Sequence, residues 1–130
     1  MVLLILVSSL SASSAEPPAI VITRPTIIAF CRPIDTDTAD EDTNEVLADF
    51  QTYTARLPQP LQTAGIEFHE LYVHSFRIRV GGRVKTFRPG KVYLGFYFIA
   101  PGRAPRVEYG VHTDDEILEI AKEYFRHSSR

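Results

Sequence analysis

The stretches VYLGFYFIA (92–100), PGRAP (101–105) and RVEYG (106–110) decide the fold class of this chain. In the first, every residue except Gly95 is apolar or aromatic, which predicts a central strand covered on both faces. Gly95 lets a neighbouring segment approach this strand closely. The prolines and glycine of the second stretch predict a turn, and the third predicts a return strand. Because the connection is short, the two strands must pair antiparallel.

A second apolar run, TIIAFC (26–31), predicts another strand buried on both faces, and Arg32-Pro33 ends it. Residues 66–73 are again strand-like, directly after Gly65, which is a natural helix stop. A helical pattern lies between the two runs. This part of the chain is therefore predicted to be a strand–helix–strand unit, whose strands must lie parallel.

The intervening helix is predicted to have Asp42 or Thr43 as its N-cap, with Glu45 three residues after Asp42 at the spacing of a capping box. Pro58 and Pro60 must kink or split it, because proline has no backbone N–H to donate. Apolar residues recur at steps of three and four and predict one buried stripe, namely Val46, Leu47, Phe50, Tyr53, Leu57, Leu61 and Ala64.

Gly81-Gly82 predicts a β-hairpin within residues 76–87. A two-residue loop would pair Ile78 with Lys85, an apolar residue with a charged one. A three-residue loop that extends to Arg83 pairs apolar residues with apolar ones and basic residues with basic ones, so we favour it. It separates an apolar face (Phe76, Ile78, Val80, Val84) from a basic face (Arg77, Arg79, Lys85).

Near the C terminus, Thr113 and Glu116 form a second capping box that predicts a final helix. Its buried stripe is expected to be Ile117, Leu118, Ala121, Tyr124 and Phe125. The element order is strand, helix, strand, hairpin, strand, strand, helix, in a single domain over residues 16–130. This order predicts an α/β fold, a mixed sheet with helices on its faces.

In this element order, residues 26–126 resemble the thioredoxin-like superfamily, whose core is βαβ followed by ββα. The segment 92–110 and the helix after it carry the resemblance best. It implies a thioredoxin-like sandwich with an extra β-hairpin. The family's Cys-x-x-Cys would fall at Asp35-Thr36-Asp37-Thr38, where both thiols are absent, and its cis-proline has no clear counterpart. Because dithiol exchange needs a second thiol, the resemblance implies the scaffold without the redox activity.

The N-terminal residues MVLLILVSSLSASSA combine an apolar run with small residues before Glu16, which predicts a signal peptide over 1–15. The mature chain would then be periplasmic or secreted. An apolar N-terminal strand or a misassigned start codon is the alternative. The apolar run is far shorter than the ~20 residues of a membrane helix, so no transmembrane span is expected after signal removal. The formal net charge of −2 predicts no nucleic-acid partner.

Basic residues are segregated along the chain. The segment 71–107 contains no Asp or Glu, yet it holds eight of the fourteen Lys and Arg residues. Such a field attracts an acidic protein or an anionic envelope component. The alternative is a solvated face whose charges protect an edge strand. The candidate interaction surface consists of Arg77, Arg79, Arg83, Lys85 and Arg88.

Other candidate chemistry is sparse. Cys31 beside Arg32 could be an activated nucleophile, but a lone thiol is more often inert core. The acidic segment 35–49 lacks the ligand spacing of a Ca²⁺ loop, and His69 and His74 would point to opposite faces of a strand. No catalytic constellation, metal or cofactor is predicted. The favoured function is a non-catalytic protein or ligand interaction module of the cell envelope, and the alternative is a single-cysteine, thiol-dependent redox enzyme centred on Cys31.

Overall fold

The computed structural model describes residues 18–126, so the predicted signal peptide over 1–15 lies outside the described residues. Within this range, no helix is long and apolar enough to cross a membrane. The strands are β1 (Ile20–Val21), β2 (Thr26–Cys31), β3 (Glu67–Tyr72), β4 (Phe76–Val80), β5 (Arg83–Phe87), β6 (Leu94–Ile99) and β7 (Arg106–Tyr109). The helices are α1 (Glu41–Thr54), α2 (Pro58–Thr63) and α3 (Asp114–Arg126).

The central sheet has the strand order β3-β2-β6-β7. β2 pairs parallel with β3 and antiparallel with β6, and β6 pairs antiparallel with β7, so the predicted pairing directions are confirmed. Every residue of the two inner strands, β2 and β6, is buried. Their apolar runs are uninterrupted because both sets of alternating side chains leave water when a strand is covered on both faces.

The three helices of residues 18–126 lie on one face of the central sheet. Ile27, Ala29 and Cys31 of β2 belong to a buried cluster with residues of α1, α2 and α3. The prediction of an α/β fold with a mixed sheet is confirmed, but the expectation of helices on both faces is wrong. The other face of the sheet is covered by strands.

Local signals set the helix boundaries, with one correction. α1 begins at Glu41, because Asp40 is its N-cap and accepts a hydrogen bond from the Thr43 backbone N–H at 2.7 Å. The predicted N-cap at Asp42 or Thr43 is therefore wrong by two or three residues. Pro58 opens α2, so the prolines split the helix as expected. Val46 and Ala64 were predicted in the buried stripe but are exposed.

Two predicted helix signals are confirmed in detail. Gly65 has φ +77° and ends α2, with Ile66 N–H donating to Leu61 O at 2.9 Å. At α3, the Thr113 N–H donates to Glu116 Oε1 at 2.8 Å, and the Glu116 N–H donates to Thr113 Oγ1 at 3.2 Å. This reciprocal pair is the predicted capping box.

A second sheet, with the order β1-β4-β5, covers the face of the central sheet opposite the helices. Ile28 and Phe30 of β2 share a buried cluster with Phe76 and Ile78 of β4. The predicted hairpin is therefore part of a third layer. β1 was not predicted, because two residues are too short to show a strand period, and it pairs parallel with β4.

The hairpin has a two-residue loop, so the predicted three-residue loop is wrong. Ile78 pairs with Lys85, and Val80 pairs with Arg83. Gly81 and Gly82 both have positive φ, +57° and +83°, as a type I′ turn requires, and that turn matches the twist of paired strands. Turn geometry thus determined the register, and Val84 is left 43% exposed.

Candidate functional site

The predicted interaction surface, called the basic hairpin below, consists of Arg77, Arg79, Arg83, Lys85 and Arg88. Arg77 and Arg79 alternate with the buried residues of β4, so they project from the outer face of the small sheet. Arg83 and Lys85 pair with Val80 and Ile78, so they lie on the inner side. The predicted single basic face is therefore wrong, and the cations occur on both sides of the hairpin.

The cations of the basic hairpin differ in their partners from several cations elsewhere. Several basic residues outside the hairpin form ion pairs with carboxylates, as in Arg24–Glu67 (3.2 Å), Arg56–Asp114 (3.7 Å), Arg106–Glu108 (2.8 Å) and Lys122–Glu119 (3.7 Å). In contrast, no carboxylate of residues 18–126 forms an ion pair with Arg79, Arg83, Lys85 or Arg88, all of which are exposed. Their charge is available to a partner.

The basic hairpin also carries a free strand edge. β5 pairs with β4 on one side, and no strand of the described range pairs with its other side. The closing pair of a two-residue hairpin, here Val80 and Arg83, is hydrogen-bonded, and bonded and non-bonded pairs alternate from there. The backbone N–H groups of Val84 and Thr86 therefore point to the free edge.

A cleft of about 250 Å³ lies at the carboxyl end of β2, where three connections meet. None of its lining residues is acidic. They come from the residue after β2, from the β3–β4 connection and from the β5–β6 connection, and are Arg32, His74, Ser75, Arg88, Pro89, Gly90 and Tyr93.

Backbone hydrogen bonds join the walls of this cleft. The Arg32 N–H donates to Tyr93 O at 2.8 Å, and the Val73 N–H donates to Cys31 O at 2.9 Å. The Arg32 guanidinium lies over the Tyr93 ring, 5.5 Å from its centroid. Arg32 is therefore held by backbone and ring contacts while its N–H groups remain available.

Of the cleft residues, only Arg88 was predicted from the sequence as a site residue. Arg32, His74 and Tyr93 are far apart along the chain, and no short motif connects them. One signal could have found Arg32 and His74. Ligands of open α/β sheets bind beyond the carboxyl ends of parallel strands, and the polar residues after β2 and β3 occupy that position.

Cys31 precedes the cleft residue Arg32, but its side chain lies on the helical side of β2 and does not line the cleft. Its side chain is fully buried, as expected, and Sγ donates to Arg32 O at 3.2 Å. Burial raises the pKa of the thiol to about 11, although the charge of Arg32 opposes the shift. The thiol is therefore protonated near neutral pH, which disfavours a nucleophilic role.

The acidic segment and the histidines have structural contacts. Asp35 accepts a hydrogen bond from the Asp37 N–H at 3.0 Å, and the hydrogen bond from Thr43 lowers the pKa of the capping Asp40. His69 contacts Glu67 at 2.6 Å, whereas His74 lines the cleft, so the two histidines are not brought together. Residues 18–126 contain no group of three or more side chains that could hold a metal ion.

The basic hairpin and the cleft beside its base both present cationic side chains, which attract negative charge. Function has to be argued from these sites rather than from the fold. Comparison of the chain with protein-family models, with curated proteins and with solved structures found no match.

Proposed function

We propose that this chain is a non-catalytic interaction module of the cell envelope, built on a thioredoxin-like scaffold, which binds an acidic protein through the basic hairpin. One observation carries the proposal. Arg79, Arg83 and Lys85 are exposed, have no acidic partner within residues 18–126, and flank the free edge of β5.

The scaffold part of the proposal rests on the central sheet. The parallel β2–β3 pair is joined through α1 and α2, and the antiparallel β6–β7 pair is followed by α3, which is the element order βαβ then ββα. The hairpin β4–β5 is inserted between these two halves. The alternative proposal, a thiol enzyme centred on Cys31, has less support because that thiol is buried and its pKa is raised.

The placement of the cations favours an extended acidic segment over a flat anionic surface. Arg79 lies on the outer side of the hairpin, whereas Arg83 and Lys85 lie on the inner side. A bilayer surface contacts one side at a time. A strand that pairs with the edge of β5 runs between the two sides, and its alternate side chains reach both of them. Main-chain hydrogen bonds then provide affinity, and the charges provide specificity.

The test uses a fluorescent peptide of ten residues in which pairs of Glu alternate with pairs of Val, so that Glu side chains occur on both faces of the strand. Binding is followed by fluorescence anisotropy. Arg79→Glu/Lys85→Glu should weaken binding about tenfold or more, because juxtaposed like charges are costly. Its folding free energy should stay within about 0.5 kcal/mol of the parent, as for other surface changes. Binding should also weaken with salt, which screens exposed charges beyond ~8 Å at physiological ionic strength.

Arg56→Glu/Lys122→Glu is the matched control, because it gives the same net charge but changes residues of the helical layer. Equal loss of binding in this control would overturn the proposal, since net charge alone would then explain the result. Binding to anionic phospholipid vesicles but not to the peptide would overturn it in favour of a membrane surface. Amide exchange supplies a further criterion, because the peptide should slow exchange at Val84 and Thr86 and leave Arg83 and Lys85 little changed.

A further inference from the structure

The cleft at the carboxyl end of β2 is a second site, separate from the edge of β5. Only Arg88 belongs both to this cleft and to the basic hairpin. Arg32 is fixed at its backbone by Tyr93 O and at its guanidinium by the Tyr93 ring. Within residues 18–126, neither Arg32 nor Arg88 forms an ion pair with a carboxylate.

The donors that line the cleft match an oxyanion. Two guanidinium groups offer planar pairs of N–H donors, which suit phosphate and carboxylate oxygens. The Ser75 hydroxyl and the His74 ring add further donors in the same wall. With no acidic residue in the lining, a bound anion would meet no like charge there.

Charge and size distinguish among anions. The two guanidinium groups carry two positive charges, which a phosphate monoester at about −1.5 to −2 near pH 7 balances better than a carboxylate does. The volume of about 250 Å³ is below the ~300–1,000 Å³ of pockets that enclose a whole ligand. It therefore suits a phosphate group whose remaining substituent extends into solvent.

We infer that this cleft binds the phosphate group of a phosphate monoester, with Arg32 and Arg88 as paired donors and Ser75 as a third. The site stands apart from the proposed function, since it could hold a small phosphorylated molecule whether or not the basic hairpin binds an acidic protein. Its place beyond the carboxyl ends of the parallel strands β2 and β3 is where open α/β sheets bind ligands.

The experiment is an NMR amide-shift titration with inorganic phosphate and with methyl phosphate, at ionic strength held constant with chloride. Shifts should concentrate at residues 32, 74–75 and 88–93. Arg32→Gln should weaken binding about tenfold or more, and Arg32→Lys should fall between Gln and the parent because it keeps the charge but loses the planar donor pair. Ser75→Ala should weaken binding by a smaller factor.

The control is Arg79→Gln, which removes a hairpin charge outside the cleft and should leave phosphate binding unchanged. Equal shifts with acetate, or unchanged affinity in Arg32→Gln, would overturn the inference. Vesicles that contain phosphatidic acid test whether the phosphate group comes from a lipid headgroup or from a small molecule. Binding to these vesicles without binding to methyl phosphate would also overturn the inference of a small-molecule site. Arg32→Gln should keep the affinity for the acidic peptide, so the failure of one proposal is distinguishable from the failure of the other.

Discussion

We expect Gly95→Ala to destabilise this protein by about 2–3 kcal/mol, in the upper part of the range for added methyl groups in packed cores. A Cβ at Gly95 would lie 2.6 Å from Glu108 O, 3.0 Å from Tyr109 Cα and 3.0 Å from Phe30 Cζ. The first two atoms belong to the backbone of β7, which pairs with β6 at this position. Relief therefore requires displacement of a paired strand as well as movement of a ring. The smaller entropy of the unfolded alanine chain offsets only about 0.4–1 kcal/mol of this cost.

Equilibrium urea unfolding measures the effect, with the midpoint and slope compared between the parent and the variant. Gly90→Ala is the matched control, because a Cβ there meets no atom within 4 Å and its φ is not in the left-handed region. We expect that change to stay within about 1 kcal/mol of the parent, on the stabilising or neutral side. A Gly95→Ala protein as stable as the Gly90→Ala protein would refute the close packing of β6 against β7.

Further outcomes are expected for Cys31, for Glu67 and for the N terminus of the exported protein. Cys31→Ala should cost about 1–2 kcal/mol by loss of a small buried group, and Cys31 should react with a thiol reagent only on unfolding. Burial raises the pKa of that thiol from 9.0 to about 11, so the folded chain keeps a proton that the unfolded chain releases. The free energy of unfolding should therefore fall as pH rises between these two values in the parent, and it should fall less in Cys31→Ala. The hydrogen bond with His69 lowers the pKa of Glu67, so Glu67→Gln should remove stability that the parent has at neutral pH and loses as pH falls through the lowered pKa; identical acid unfolding curves would contradict this. Protein exported by the native host should begin at or near Glu16, and an intact Met1 in cytosolic protein would argue against the predicted signal peptide.

Local sequence determined the features whose physical cause is local. The apolar runs of β2 and β6 predicted inner strands because both of their faces leave water. Pro58 had to interrupt a helix, and Thr113 with Glu116 predicted the start of α3, since these effects need only neighbouring residues. The segregation of basic charge between residues 71 and 107 was also visible in the sequence.

Only the tertiary structure decided which layer covers each face of the central sheet. A buried run such as β2 shows that both faces are covered, but it does not show that helices lie on one face and strands on the other. The hairpin register likewise depended on turn geometry, which outweighed the pairing of like side chains. The cleft was the least predictable feature. It forms where Arg32, His74 and Tyr93 meet. The parallel pairing of β2 with β3 and the antiparallel pairing of β2 with β6 bring these connections, which are distant in sequence, to the same end of the sheet.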